Sequence, residues 1–230
     1  MDKKRKTFVI NFISGPGNGK TTMSALLFAK LKLLRYVSEF VGEYAKTLVW
    51  KKDFETLNDQ YIVTKTQYDL LKQINGKVDF IVTDGPLLHG LYYNRHNKEN
   101  TSNIDKTEEF ILKCYNEFNN INIFLERGTF EYETQGRIQT EDESKEIDVI
   151  LQHMLKANKV PFKCFRSGVD NIDNIVNYVL SVINDNNTST ETPKDVELYS
   201  DIPINQIPFE KNLKGKHKPK QHEKEVTAFN

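Results

Sequence analysis

The sequence predicts an α/β fold in which a five-stranded parallel sheet lies between two layers of helices. Three observations support this prediction. Short apolar runs alternate with segments of helical periodicity, the first apolar run passes through a glycine-rich loop into a helix, and no apolar run is long enough to span a membrane. Strands that alternate with helices usually pair in parallel, because each helix returns the chain across one face of the sheet.

The individual elements follow from hydrophobic spacing. Residues 8–13 form an apolar, β-branched run that predicts the first strand, and Met23, Leu27 and Leu31 then recur at helical spacing after Lys20. Further strands are predicted at 36–41, from 78, from 121 and from 161, and further helices at 57–74, 104–118, 143–157 and 169–183.

Overall charge and cysteine content narrow the class of protein. Basic and acidic side chains number 32 each, so no net charge draws the chain toward nucleic acid or a membrane. The two cysteines, Cys114 and Cys164, have neither metal-ligand nor CxxC spacing, which favours free thiols in a reducing compartment. The first apolar run also lacks a cleavage site of the secretory type. We therefore expect a cytoplasmic protein.

A change in composition divides the chain after residue 184. Residues 1–184 are expected to form one folded domain. Residues 185–230 contain four of the seven prolines and only 11 hydrophobic residues among 46, too few to order such a segment alone. We expect a flexible polar tail. Its six lysines between 211 and 224 also leave open a contact with nucleic acid or an acidic partner.

The stretch SGPGNGKTT, residues 14–22, has the chemistry of a phosphate-binding loop. Glycines allow successive backbone N–H groups to point into one concavity at a helix start, where Lys20 can reach the outer phosphates of ATP and Thr21 can offer its hydroxyl to Mg²⁺. The residues expected to contact the nucleotide are Gly15, Pro16, Gly17, Asn18, Gly19, Lys20, Thr21 and Thr22. The prediction is therefore a three-layer sandwich of the P-loop NTPase type; the alternative is a glycine-rich turn that binds nothing.

Ser14 stands where the usual pattern G-x-x-x-x-G-K-[ST] has its first glycine. Serine is small, and Gly15 follows it immediately. We expect Gly15 to adopt any positive φ that the turn demands, so that the loop still binds phosphate.

Two carboxylates follow predicted strands. Asp84 ends the run FIVTD, where it can hold Mg²⁺ opposite Thr21, although Asp-Gly-Pro is also simply a good turn. Glu43 follows the second strand and can accept a proton from a substrate hydroxyl. Four aromatic side chains near these carboxylates are weaker candidates for stacking on a ring, because buried aromatics are more often core: Tyr44, Trp50, Tyr92 and Tyr93.

The polar stretch after the fourth strand, about residues 127–145, is long enough to form a lid over the phosphates. Its arginines, Arg127 and Arg137, are suited to the charge on a transferred phosphoryl group because a guanidinium makes two directed hydrogen bonds. The alternative is an exposed loop whose arginines pair with acidic residues, namely Glu131, Glu133 or Glu141.

Four stretches in this order, the phosphate loop, GEYAK, VTDGPLL and FLERGTFEYETQGRIQTEDESKEID, resemble the small P-loop proteins typified by the nicotinamide-riboside-kinase domain of NadR, including many phage-encoded proteins with this AAA-type domain. The resemblance covers about residues 7–184. It implies a five-stranded P-loop kinase with a lid that transfers the γ-phosphate of ATP, with Mg²⁺, to a hydroxyl of a nucleoside-like compound. The phosphate-loop residues and Asp84 match the pattern best, followed by Glu43, Arg127 and Arg137.

Other nucleotide-dependent functions compete with this interpretation. A GTP-dependent switch would carry Asn-Lys-x-Asp, yet the stretches NKEN at Asn97 and NKVP at Asn158 lack the aspartate. An AAA+ motor would need a further helical domain. A regulatory nucleotide-binding protein without transfer activity, and a kinase acting on a modified base or end of nucleic acid, both stay open.

Overall fold

The computed structural model describes residues 5–133, 135 and 139–187, and within them a single all-parallel sheet has the strand order β2-β3-β1-β4-β5. Its strands are β1 (Phe8–Ile13), β2 (Ser38–Val41), β3 (Phe80–Thr83), β4 (Asn119–Glu126) and β5 (Lys163–Arg166). The predicted number of strands, their parallel pairing and their helical cover are therefore confirmed.

Helices connect the strands and cover both faces of the sheet. They are α1 (Lys20–Leu33), α2 (Tyr44–Lys51), α3 (Phe54–Leu57), α4 (Gln60–Ile74), α5 (His89–His96), α6 (Ile104–Tyr115), α7 (Glu141–Ala157) and α8 (Ile172–Asn187), the last preceded by a 3₁₀ turn at Val169–Asn171. No helix within the described ranges is long and apolar enough to cross a membrane.

The central strand β1 is buried on both faces, so its successive side chains enter two different cores. Phe8, Ile10 and Phe12 pack in the layer formed by α1 and α8. Val9 and Ile13 point to the opposite side, where α4, α5, α6 and α7 cover the sheet. Burial on both faces explains why β1 reads as a continuous apolar run rather than an alternating one.

Buried asparagines add a polar ladder between β1 and β4. The Nδ2 of Asn11 donates to Oδ1 of Asn120 at 3.0 Å and to Oδ1 of Asn122 at 3.1 Å. Asn122 in turn donates to the Tyr115 hydroxyl at 2.7 Å. A buried amide that loses its partners is costly, so these bonds favour the observed register, in which Asn11 lies opposite Asn122.

One predicted helix is wrong in its first turn. The sequence predicted a single helix over 57–74, but Leu57 ends α3, and α4 starts only at Gln60. Asp53 and Asp59 each cap a helix start, because their carboxylates accept the backbone N–H groups of Thr56 and Ile62 at 3.1 Å. A second cap so soon after the first divides the segment into two helices.

Besides the four-residue α3, two longer helices, α2 and α5, were not predicted. Each has eight residues and follows directly on a loop at the carboxyl edge of the sheet, so it is too short for a clear periodic pattern. In addition, α8 continues to Asn187, past the predicted domain boundary at 184, while residues 188–230, most of the predicted tail, lie outside the described residues.

Candidate active site

The phosphate loop occupies the carboxyl end of the central strand, between β1 and the start of α1 at Lys20. Gly17 and Gly19 have φ angles of 75° and 70°, in the left-handed region that favours glycine. Gly19 is also the N-cap residue of α1. The chain therefore needs glycine at these two positions for the loop to turn from strand into helix.

The ammonium group of Lys20 lies over the loop, where it donates hydrogen bonds to the carbonyl oxygens of Ser14 at 3.0 Å and Gly15 at 2.9 Å. Ser14 itself is buried, and its hydroxyl donates to the Gly15 carbonyl oxygen at 3.1 Å. Serine at this position is therefore accommodated inside the loop.

The expectation for Gly15 was wrong. Gly15 does not adopt a positive φ. A side chain is excluded there for a different reason, because a Cβ atom on Gly15 would collide with the backbone carbonyl oxygen of Ser144 in α7. Close approach of α7 to the loop, rather than backbone conformation, requires glycine at this position.

The side chain of Asn18 anchors the other end of the loop. It is buried and donates to the carbonyl oxygen of Leu125 in β4 at 2.6 Å, while the Asn18 carbonyl oxygen accepts from the Ser167 hydroxyl at 2.7 Å. Both contacts tie the loop to the strands beside it. The Asn18 side chain thus has a structural role.

Asp84 connects the phosphate loop to the chain that follows β2. Its Oδ2 accepts a hydrogen bond from the Thr21 hydroxyl at 2.6 Å, and its Oδ1 accepts the backbone N–H of Glu43 at 3.0 Å. The Asp84 carboxylate is 3% exposed, so it is held in one position. The structure therefore brings together three residues that the sequence singled out separately.

Arg127 lies against the phosphate loop and pairs with an acidic residue that the sequence analysis did not name. Its Nε is 2.8 Å from Oδ2 of Asp148, and its Nη2 donates to the Ser144 hydroxyl at 2.5 Å and to the Pro16 carbonyl oxygen at 3.3 Å. Asp148 also accepts the backbone N–H of Gly15 at 2.5 Å. Burial raises the pKa of the Asp148 carboxyl, and the Gly15 amide and Arg127 oppose that shift.

The segment that follows β4 packs aromatic rings on the glycines of the loop. A Cβ on Gly17 would enter the ring of Tyr132, and one on Gly19 would enter the ring of Phe130. The Tyr132 hydroxyl donates to the Gln139 carbonyl oxygen at 2.6 Å. Of the predicted lid, residues 141–145 belong to α7, and Arg137 lies outside the described residues.

One large cavity of about 1100 Å³ extends from the phosphate loop to the helices that follow β2 and β3. From the loop it is lined by Pro16, Gly17, Gly19, Lys20, Thr21 and Thr22. The opposite wall comes from α2, α3, α4 and α5 and includes Glu43 just before α2. Gly15 and Asn18 do not line it. A single cavity therefore reaches both the phosphate loop and Glu43.

Aromatic side chains occupy the wall away from the loop. Four of them line the cavity: Trp50 is 63% exposed, Phe54 is 48% exposed, and Tyr92 and Tyr93 are more enclosed. Burial and the nearby Glu43 charge raise the pKa of the Tyr93 phenol, which keeps it neutral. Tyr44 does not line the cavity, and its backbone N–H donates to Oε1 of Gln67 at 2.8 Å.

Two residues near the site were missed by sequence reasoning. Asp148 lies one helical turn after Ser144, on the face of α7 that carries buried Ile147 and Leu151. Because carboxylates are rarely buried without a partner, an aspartate on this face could have been recognised from the sequence as a candidate. His89 starts α5 and lines the cavity. It gives no such signal, because a single histidine after a turn has no distinctive spacing.

No protein-family model and no curated protein matches this chain in sequence. Among solved structures, the crystal structure of NadR protein in complex with NAD and AMP-PNP is similar, with a TM-score of 0.58 and 14% identity over 84% of this chain. The match covers 53% of the NadR chain, so this chain corresponds to about half of that protein's length.

Thymidylate kinase from Candida albicans is similar at a TM-score of 0.46 and 14% identity, over 84% of this chain and 97% of that one. Deoxyadenosine kinase from M. mycoides is similar at 0.48 and 18%, over 77% of this chain and 99% of that one. The all-parallel sheet, its helical cover and the likeness to NadR show that this chain has a three-layer α/β fold of the P-loop type.

Proposed function

We propose that this protein is a Mg²⁺-dependent phosphotransferase that moves the γ-phosphate of ATP to a hydroxyl of a nucleoside- or nucleotide-like small molecule. The observation that carries the proposal is the cavity of about 1100 Å³, which is lined at one end by Lys20 and Thr21 and at the other by Glu43 and the walls of α2, α4 and α5. Because the acceptor hydroxyl must lie next to the γ-phosphate, a kinase needs both substrates in one connected space.

The loop end of the cavity suits the triphosphate. Backbone N–H groups at the start of α1 favour anions, and the Lys20 ammonium lies within the same loop. Because Lys20 already contacts two loop carbonyl oxygens, phosphate binding would exchange those contacts for phosphate oxygens without a large movement.

The residues at this end also fit Mg²⁺. The Thr21 hydroxyl and the Asp84 carboxylate are oxygen donors in direct contact, and Mg²⁺ prefers oxygen ligands together with phosphate and water. When bound, Mg²⁺ would neutralise charge on the β- and γ-phosphates. Asp84 would hold this position because the Glu43 backbone N–H fixes its second oxygen.

We assign proton acceptance from the substrate hydroxyl to Glu43 rather than Asp84. Glu43 lines the cavity that reaches the phosphate loop, whereas Asp84 does not line it and is assigned to Mg²⁺. A proton acceptor has to lie within hydrogen-bond reach of the hydroxyl it activates.

The two arginines would have different roles. Arg127 is held by Asp148 and Ser144 beneath the Pro16 carbonyl, so we assign it to supporting the phosphate loop. Contact with the transferred phosphoryl group is assigned to Arg137 on sequence grounds alone, because Arg137 belongs to the polar stretch after the fourth strand and a guanidinium suits the charge of that group. We place the reaction in the cytoplasm, where Mg²⁺ and ATP are present and the free thiols of Cys114 and Cys164 stay reduced.

The deciding experiment incubates the full chain and its Lys20→Ala variant with γ-labelled ATP and a panel of acceptors. The panel contains nicotinamide riboside, the common nucleosides, nucleoside monophosphates and DNA with modified bases. We expect label on a nucleoside or nucleotide with the native chain and at least about 100-fold less with Lys20→Ala. Intact ATP binding with transfer to no member of the panel would contradict the proposal and favour a regulatory protein. Label on the DNA alone would instead favour a nucleic-acid kinase.

A further inference from the structure

The wall of the cavity opposite the phosphate loop is formed where α5 packs closely on α4. A Cβ on Gly90 would lie 3.1 Å from both Gln60 Nε2 and Thr64 Oγ1, closer than nearly all side-chain contacts in proteins, so the two helices pack tightly at that point. His89 directly precedes Gly90 and is 7% exposed. His89, Gln60 and Thr64 all line the cavity. The close packing therefore holds the His89 backbone in a rigid wall.

The other buried polar side chains of this wall have hydrogen-bond partners within the protein. Gln60 Nε2 donates to Thr64 Oγ1 at 3.1 Å. Gln67 accepts the Tyr44 backbone N–H at 2.8 Å and donates to the Gly42 carbonyl oxygen at 3.2 Å. These hydrogen bonds lie within α4 or join α4 to the chain that follows β2. They hold this wall of the cavity in place without a ligand.

His89 differs from these neighbours. Its Nε2 is buried and has no hydrogen-bond partner among the described residues. Buried polar atoms in native proteins are nearly always hydrogen-bonded. Because this nitrogen belongs to the wall of the cavity, we expect a bound ligand to supply its hydrogen bond. Burial, with the Lys20 charge adding to it, lowers the pKa of His89 well below its usual value. The ring is neutral at neutral pH and so suits an uncharged group.

We propose that His89 is a specificity-determining residue, whose Nε2 forms a hydrogen bond with an uncharged hydroxyl or base-edge group of the nucleoside acceptor. This inference rests on the proposed function, because it places the acceptor in the same cavity. The ring lies on the wall that faces the phosphate loop, so a nucleoside bound to it would keep its sugar within the space shared with Lys20.

The inference is tested on the full chain with two matched variants. His89→Phe keeps an aromatic ring but has no nitrogen, whereas His89→Gln restores a polar group near the position of Nε2. We expect the KM for the nucleoside to rise about 10-fold or more in His89→Phe and to recover in part in His89→Gln, with the KM for ATP unchanged in both. The control is His153→Gln, because His153 is exposed on α7 and does not line the cavity, so both KM values should stay at the native level.

A second measurement does not depend on transfer. The ring ¹⁵N resonances of the five histidines are recorded by NMR with AMP-PNP, before and after adenosine, cytidine, thymidine or nicotinamide riboside is added. The His89 signal is identified by its absence from His89→Phe. We expect at least one nucleoside to move this signal while AMP-PNP alone does not. If Nε2 instead bonds a buried water or another part of the protein, the signal would stay in place for every nucleoside, which would overturn the inference.

The two measurements separate the inference from the proposed function. A shifted His89 signal without phosphoryl transfer would support nucleoside binding at His89 and contradict the kinase activity. Transfer by His89→Phe at the native KM would support the kinase and overturn the role of His89. Thermal unfolding adds a check on a purely structural role, since removal of an unpaired buried nitrogen should leave the Tm of His89→Phe at or above the native value. A large fall in Tm would show that the ring nitrogen serves the fold and would overturn the inference.

Discussion

The Thr21 hydroxyl and the Asp84 carboxylate meet at 2.6 Å, although 63 residues separate them in the chain. The contact is possible because β1 and β3 are adjacent parallel strands, so the loops at their carboxyl ends lie side by side. Asp84 also holds the Glu43 backbone at 3.0 Å. One carboxylate thus organises the donor and acceptor ends of the proposed active site.

Removing the charge of Asp84 tests the metal assignment. Asp84→Asn keeps an oxygen that can accept a hydrogen bond but loses the negative charge, so we expect kcat to fall about 100-fold or more while binding of metal-free ATP stays intact. Steady-state kinetics over a range of Mg²⁺ concentrations measure the effect. The matched control is Asp79→Asn, because Asp79 precedes β3 at the opposite edge of the sheet and pairs with Arg5. Full activity of Asp84→Asn would refute the assignment.

The close approach of α7 to the phosphate loop predicts the response to a single methyl group. Gly15→Ala would place its Cβ against the Ser144 carbonyl oxygen, a backbone atom that cannot rotate away. We expect the free energy of unfolding to fall by about 1–3 kcal/mol, measured by chemical denaturation. Gly42→Ala is the control, since its Cβ would meet only Phe40 at 3.8 Å, and it should change stability by less than about 0.5 kcal/mol. Equal losses in both variants would contradict the steric explanation.

Asp148 is expected to stabilise the loop through its two contacts. Asp148→Ala would remove the partner of the Arg127 guanidinium and the acceptor of the Gly15 N–H together, at a cost of about 1–3 kcal/mol in the free energy of unfolding. Asp142→Ala, on the same helix but with a 94% exposed side chain, should cost less than about 0.5 kcal/mol. Urea denaturation compares the two. If Asp142 proved as important as Asp148, the loop contacts would not be the cause.

His89 predicts a loss of stability in acid. Its pKa in the folded protein lies below the unfolded value, so folding favours the neutral ring. Its contribution is fully present above a pH of roughly 6.5 and is lost as the pH falls toward the folded pKa, because the unfolded chain then binds a proton that the native state excludes. Measured by urea denaturation between roughly pH 5 and 7.5, the native chain should lose more stability than His89→Phe. Parallel curves would show that folding does not lower the pKa of His89.

Trp50 offers a direct signal for binding to the cavity. It is the single tryptophan of the chain, lines the cavity and is 63% exposed. Enclosure of the indole by a bound nucleoside should shift its fluorescence emission to shorter wavelength or quench it. Titration of the full chain with nucleosides in the presence of AMP-PNP measures the change, and Trp50→Phe provides the background. No change at saturating nucleoside would place the acceptor away from Trp50.

Much of the fold was accessible from the sequence because it depends on local patterns. β1 was predicted with its exact ends, since a buried parallel strand is a continuous apolar run and the glycine loop marks its end. By contrast, α2 and α5 escaped prediction, because short helices at a ligand-facing edge carry too few core residues to set a period. Aspartate is a common helix-capping residue, so the helix start after Asp59 could have been predicted. The long periodic run around it favoured a single helix instead.

Some features of the candidate site were likewise predicted from the sequence, and others became visible only in the structure. The sequence alone determined the glycine loop, Lys20 and Thr21, and a carboxylate after a buried strand, because these depend on residue type and short spacing. Only the tertiary structure decided that Asp84 bonds to Thr21, that Arg127 pairs with Asp148, and that His89 faces the shared cavity. Such contacts join residues from different strand and helix ends, and their distances depend on sheet order and helix packing, which no local pattern encodes.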